Sequence, residues 1–270
     1  MESSIALDHA GFMHLLRDHP WHIDTLLQMS EVARHQEDNT QASDFVERAM
    51  FAFERSFTAT FNFTTGLHRL DFSRIENRAF FLALHRHITN LLRRGTIRTA
   101  FEFSRLLLSL DPHADPHGAL LYLDYLAPKA GMNEWLVEMW DTWSKVTREI
   151  GPPGPDDDYE DARVEVEFLP GWMWSRALAL WNVERGTENS SHTGSTLALR
   201  EAIHTYPYVL PVLADKAGIA LSGEVRGHSA FRISTGWECV SLHSCYYILS
   251  VSDRVLQLIC PRRINAAPPF

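Results

Sequence analysis

The chain has 270 residues, 45% of them hydrophobic, and carries 25 Lys and Arg against 34 Asp and Glu, a formal net charge of -9. This length holds one large domain or two small ones and is ample for a sizeable core. The acidic balance excludes a globally basic nucleic-acid binder while leaving local patches open, and no apolar run approaches the roughly 18–20 residues a membrane helix needs.

The first residues, MESSIALDHAGF, lack the basic region and clean apolar stretch of a signal peptide. All three cysteines, Cys239, Cys245 and Cys260, lie near the C-terminus. A disulfide framework would not leave the rest of the chain empty, so the expected compartment is reducing and intracellular.

Apolar residues at helical spacing predict a helix over Ile5–Arg17, stopped at His19-Pro20, and a second over Ile23–Gln36 with Leu26, Leu27, Ser30 and Ala33 on one face. A third covers Gln41–Phe57. The aromatic, Thr-rich stretch Phe57–Phe72 has no helical period and reads as a packed loop. Arg78–Arg94 is a strong helix closed by Gly95, and Thr96–Leu110 another, ended by Asp111-Pro112. His117–Lys129 and Asn133–Glu149 form a further pair around Gly131, with Asn133 as N-cap. Gly151–Asp161 (GPPGPDDDYED) is a break, since Pro and Gly forbid regular structure and the acids repel one another. Helices resume over Pro170–Arg185, Thr193–Thr205 and Tyr208–Ala220. Phe231–Ile233 and Cys245–Val251 are the only candidates for short strands, and nothing builds a sheet. The expected class is all-α.

Helices arriving in antiparallel pairs suggest a solenoid of tetratricopeptide (TPR)-like hairpins, a repeat of about 34 residues with small residues where helices touch and a closing proline. Leu84, Ile88, Leu91, Ala100, Ser104, Leu107 and Pro112 fit one repeat. Leu26, Ser30, Ala33, Ala42, Val46 and Ala49 fit a second without the proline, and Ser195, Leu199, Ala202 and Pro207 a third. The resulting division is TPR-like repeats over 1–150, an acidic Pro/Gly-rich loop over 151–168, further hairpins over 169–222 and an irregular tail over 223–270.

No pattern announces chemistry. There is no phosphate-binding GxxxxGK[ST] loop, GxGxxG turn, GxSxG elbow or HExxH helix. His85 and His87 point to different helix faces. His113, Asp115 and His117 share a turn but lack the ligands to complete a four-coordinate site. No cofactor or metal is expected, and the reading is not an enzyme. Two resources remain. Arg78, Arg86, Arg93, Arg94 and Arg98 stand against one glutamate between Glu76 and Arg98 and form a candidate patch for RNA or an acidic partner, or simply a solvated helix face. Trp135, Trp140 and Trp143 on one helix and Trp172, Trp174 and Trp181 on another are better explained as core than as an exposed groove.

The stretch Glu76–Ala127 carries Glu76-Asn77-Arg78, Arg94-Gly95, Arg98-Thr99-Ala100 with Glu102, and Leu107–Pro112 leading to Asp115-Pro116. In this order it resembles the central region of the transcription factor 25 family, also known as the ribosome quality control complex subunit 1 family. His19–Glu54, Gly66–Asp71 and, more loosely, Leu169-Pro170 and Tyr206–Pro211 resemble it too, so the likeness runs over roughly residues 10–233. The family motif makes Asn77, Gly95, Ala100, Asp111, Pro112 and Pro116 structural residues. The resemblance implies a non-enzymatic scaffold on the large ribosomal subunit. It would work beside a RING-type ubiquitin ligase and an AAA unfoldase to tag stalled nascent chains for degradation. The implied location is cytoplasmic, with no membrane partner. An alternative, a nuclear transcriptional regulator using the same helical surface, follows the family's older name.

From about Thr235 the sequence resembles nothing in the family and ends Pro-rich. The chain also starts almost inside the helical core, whereas the family carries a long charged N-terminal region. The expectation is a truncated or alternatively spliced form with an aberrant tail.

Overall fold

The computed structural model describes residues 11–58, 60–62, 65–150, 164–186, 192–223 and 226. The proposed strands, the Gly151–Asp161 break, the three cysteines and the tail from Thr235 lie outside them. The described residues are all-α, without a strand. In chain order the helices are α1 (residues 11–18), α2 (Ile23–His35), α3 (Asn39–Ser56), α4 (Ile75–Arg93), α5 (Ile97–Leu110), α6 (Leu120–Lys129), α7 (Asn133–Ile150), α8 (Pro170–Gly186), α9 (Thr193–Thr205) and α10 (Val209–Lys216). A 3-10 turn, Val166–Phe168, precedes α8. The chain divides into two compact units, Met1–Ala119 and Leu120–Phe270.

Within the first unit α2, α3, α4 and α5 pack in sequence, within the second α6, α7, α8 and α9 do, and three hairpins close in one way. Gln36-Glu37-Asp38 links α2 to α3, Arg94-Gly95-Thr96 links α4 to α5, and Ala130-Gly131-Met132 links α6 to α7. The middle residue of each link is left-handed, with φ 63° at Glu37, 76° at Gly95 and 77° at Gly131. The third residue's N–H reaches back to a helix carbonyl: Asp38 to Ala33 at 3.0 Å, Thr96 to Leu91 at 3.0 Å and Met132 to Ala127 at 2.8 Å. The middle N–H bonds to Arg34, Leu92 and Pro128 respectively, at 3.0, 3.1 and 3.2 Å. This is the Schellman closure, which satisfies carbonyls a helix end leaves orphaned.

A shared link gives a shared register. Leu26, Leu84 and Leu120 occupy one equivalent place before it, and Ala33, Leu91 and Ala127 a second. Ala42, Ala100 and Leu136 occupy the first equivalent place after it, then Val46, Ser104 and Trp140. All twelve are buried. The backbones approach where the residue is Ala or Ser, as close packing requires.

In the first unit an aromatic cluster fills the space beside α4. Phe80 meets Phe53 edge-on at 5.0 Å and Phe57 at 5.1 Å, and Phe72 meets Phe81 at 5.4 Å. Of the described residues in the aromatic stretch after α3, Phe57, Phe61 and Phe72 meet neighbouring rings while most others are exposed, and the Leu70 N–H bonds to the Leu110 carbonyl at 2.9 Å. In the second unit α8 is buried nearly all round, contacting α6, α7 and α9. Trp172 and Trp174 are enclosed, and the Trp172 indole N–H donates to the Leu120 carbonyl at 2.9 Å. Trp140 and Trp181 are buried as well, while Trp135 and Trp143 are half-exposed.

Three helix starts differ from the sequence reading by two residues or more. α3 begins at Asn39 because Asp38 Oδ1 accepts the Gln41 N–H at 2.9 Å. α4 begins at Ile75, before Arg78. α6 begins at Leu120 rather than His117, because Asp115 (φ 37°) and Gly118 (φ 63°) hold the turn and Asp115 Oδ1 accepts the Ala119 N–H at 2.7 Å.

Candidate functional site

The arginine-rich helix α4 is the site the sequence marks out, and its arginines reach inward to their own chain. Arg86 is 15% exposed at its side chain and pairs with Glu31 of α2 at 3.0 Å. It also donates to the Ser30 hydroxyl at 2.8 Å and to the Leu27 carbonyl. Arg94 bonds Glu47 at 2.9 Å and the Ser43 hydroxyl at 2.6 Å, both on α3. Arg93 donates to Asn39 Oδ1 at 2.5 Å. These three arginines fasten α4 to the α2–α3 hairpin.

The other two serve local structure. Arg78 lies over the Phe72 ring at 5.5 Å and donates to the Phe72 and Ser73 carbonyls, both at 3.1 Å. Arg98 pairs with Glu102 one helical turn on, at 3.1 Å. Arg78, Arg93, Arg94 and Arg98 remain exposed to solvent, and Arg86 does not.

Glu31 is the counter-charge at the centre of this group. Burial alone would raise its pKa, but the Arg34 hydrogen bond and the Arg86 and Arg34 charges hold it below the usual carboxylate range. The cavity between α2, α3 and α4, lined by Ser30, Glu31, Arg34, Arg86, Thr89 and Asn90 among others, has room for about one water and none for a substrate. Among the described residues no group of three or more His, Cys, Asp or Glu could hold a metal ion.

The family-motif residues all sit at helix ends or packing points. Asn77 Nδ2 donates to the Asp71 carbonyl at 2.8 Å, steadying the entry to α4. Gly95 supplies the left-handed link residue and Ala100 is fully buried. Asp111 ends α5 and its Oδ1 accepts the Ala114 N–H at 3.2 Å, with Pro112 next in the turn. Pro116 is half-buried in the same loop. His117 stacks on His85 at 5.1 Å.

The family model described as transcriptional repressor TCF25 matches residues 1–250. The chain belongs to the TCF25 family. The match runs past Thr235, where the sequence alone suggested the resemblance stops, and so takes in part of the tail. Among relatives, the chain is 52% identical over 236 residues to the probable transcription factor claV of Ampulloclitocybe clavipes, covering 87% of this chain and 29% of that protein. It is 34% identical over 223 residues to the human ribosome quality control complex subunit TCF25, covering 80% and 30%. It is 32% identical over 133 residues to ribosome quality control complex subunit 1 of Saccharomyces cerevisiae, covering 49% and 18%. The chain thus spans less than a third of the length of these TCF25-family relatives. No solved structure matches. Among the described residues no helix is long and apolar enough to cross a membrane.

Proposed function

We propose that this chain is a non-enzymatic scaffold of the ribosome-associated quality control complex. It would act on stalled nascent chains at the large ribosomal subunit and promote their ubiquitination and extraction. The observation that carries the reading is the family match together with relatives named as subunits of that complex. The identical closure of three hairpins supports a TPR-like solenoid as the scaffold's architecture, with repeats over 1–150 and further hairpins over 169–222 flanking the acidic 151–168 loop. Such hairpins present extended helical faces, which suits assembly.

In this reading the partners are the large ribosomal subunit, a RING-type ubiquitin ligase and an AAA unfoldase, and the location is cytoplasmic. The exposed guanidiniums of Arg78, Arg93, Arg94 and Arg98 form the contact patch for an acidic partner or RNA. Arg86 is excluded from it because its side chain is largely buried against α2. The test is sedimentation of the tagged chain after translational stalling. Enrichment in large-subunit fractions, reduced by Arg93→Glu with Arg94→Glu at unchanged helical content, supports the proposal. Sedimentation equal to that of a tagged unrelated protein defeats it.

A second reading, a nuclear transcriptional regulator using the same helical surface, is favoured by one observation, the name of the 52% identical relative. Chromatin association that survives dissociation of ribosomes would decide for it.

A further inference from the structure

The outer side of α3 carries an aromatic pair that the core does not use. Phe51 is 50% exposed and Trp21, in the turn before α2, is 52% exposed. Their ring centroids lie 5.3 Å apart with planes tilted by 46°. The opposite side of α3, with Ala42, Phe45, Val46, Ala49 and Phe53, is fully occupied by packing. Phe51 therefore stands where a solvent-facing helix position ordinarily carries a polar residue.

The pair is held in place before any partner arrives. The Arg48 guanidinium lies 5.8 Å from the Trp21 ring centroid and 5.9 Å from that of Phe45, and it donates to the Pro20 carbonyl at 2.8 Å. An exposed aromatic fixed in this way has already lost its rotamer freedom, which lowers the ordering cost of binding.

Charge selects among the three ligand classes that use exposed aromatic faces. A cationic side chain over Trp21 meets Arg48 already beside that ring. A nucleotide strand meets carboxylates. Asp44, Glu47 and Glu54 run along the exposed side of α3 with Phe51, and Asp18 and Asp24 flank Trp21 in sequence. The same stretches carry Arg17, Arg48 and Arg55, and Arg94 pairs with Glu47, so acids outnumber arginines five to four. A backbone of phosphates is disfavoured there. An uncharged pyrrolidine ring is not. Extended proline-containing segments dock on aromatic surfaces with little further loss of entropy, and a basic flank would meet Asp44 and Glu54.

We propose that Trp21 and Phe51 form a docking platform for an extended, proline-containing segment with basic flanks on a partner protein. This surface adjoins the arginine patch where Glu47 meets Arg94, and its function does not depend on the ribosomal reading.

The experiment is fluorescence anisotropy with the whole chain and a labelled synthetic peptide of four prolines flanked by arginines. Saturable binding is expected, weakened about tenfold or more by Phe51→Ser and by replacing the prolines with alanine. Phe51 is solvent-facing, so the thermal midpoint of Phe51→Ser should stay within about 2 °C of the parent. Should Phe51→Ser melt early, Asp44→Lys with Glu54→Lys serves instead, weakening the arginine-flanked peptide but not a serine-flanked one. Absence of saturable binding overturns the proposal. So does equal binding by a folded Phe51→Ser, or tighter binding of a labelled oligouridine than of the peptide.

Discussion

Glu184 on α8 caps α9 through Ser195. The Ser195 hydroxyl donates to Glu184 Oε2 at 2.5 Å and the Ser195 N–H to Oε1 at 3.1 Å. His192, the residue before α9, is left-handed and makes no side-chain cap bond, so a carboxylate from the neighbouring helix does that work. Glu184→Ala should destabilise the chain by about 1–2 kcal/mol, read as a lower urea midpoint at constant slope. Gly194 supplies the sharper check. A Cβ there would lie 2.7 Å from Glu184 Oε1 and displace it from the cap. Gly194→Ala should therefore be costly alone, yet neutral or stabilising once Glu184 is already alanine. Simple additivity of the two changes would refute the coupling.

The three hairpin links differ in one respect that stability measurements can read. Gly95 and Gly131 take the left-handed conformation without a side chain, whereas Glu37 takes it with one. Glu37→Gly should stabilise by about 0.5–1 kcal/mol and raise the melting midpoint by a few degrees. Gly95→Ala should do the reverse. No atom lies within 4 Å of the added Cβ, so its cost is conformational rather than steric.

Arg86 separates holding the fold from binding a partner. Removing it leaves Glu31 with Arg34 and His35 and the Ser30 hydroxyl still donating to the Leu27 carbonyl, but both oxygens lose their bond to the guanidinium. Arg86→Ala should cost about 2–3 kcal/mol, and Arg98→Ala, on the exposed side of α5, less than about 0.5 kcal/mol. Equal midpoints for the two variants in chemical denaturation would contradict this assignment.

Mild acid should weaken the first unit through its stacked histidines. Burial, with His117, Arg86 and Arg34 nearby, pushes His85 from the usual 6.5 down to about 4. Burial lowers His117 and His87 as well, His87 despite the opposing pull of Glu47. The unfolded chain takes up a proton at His85 near pH 6.5 and the folded chain only near 4, so stability present at neutral pH falls across that interval. Below the folded value both states are protonated and this slope ends. Melting midpoints between pH about 6.5 and 5, above the range where carboxylates titrate, should drop in the parent and drop less in His85→Gln.

Local signals in the sequence located most helices, because Gly95, Gly131 and Asp111-Pro112 act within a turn of where they stand. Glu37 gave no such signal, since nothing about a glutamate marks a left-handed position. Asp38 and Asp115 shifted helix starts by caps that depend on which nearby N–H the carboxylate meets. The arginine spacing on α4 was visible, but the partners were not. Leu27 and Ser30 are 59 and 56 residues from Arg86, and Ser43 and Glu47 are 51 and 47 from Arg94. The Trp21–Phe51 pair was missed for the same reason, as only the α2–α3 hairpin brings those rings together.

The hairpin links also dictate where this chain can change length. Each spends all three residues on closing one helix and opening the next, with all three N–H groups bonded back to the preceding helix and no slack. An insertion there would rotate the second helix by about 100° and turn its buried stripe to solvent. The described residues between hairpins, 65–74 and 111–119, join one hairpin to the next over longer stretches than these three-residue links. Insertions and deletions among homologues should therefore gather between hairpins and spare the links, so that each hairpin is inherited as an indivisible unit.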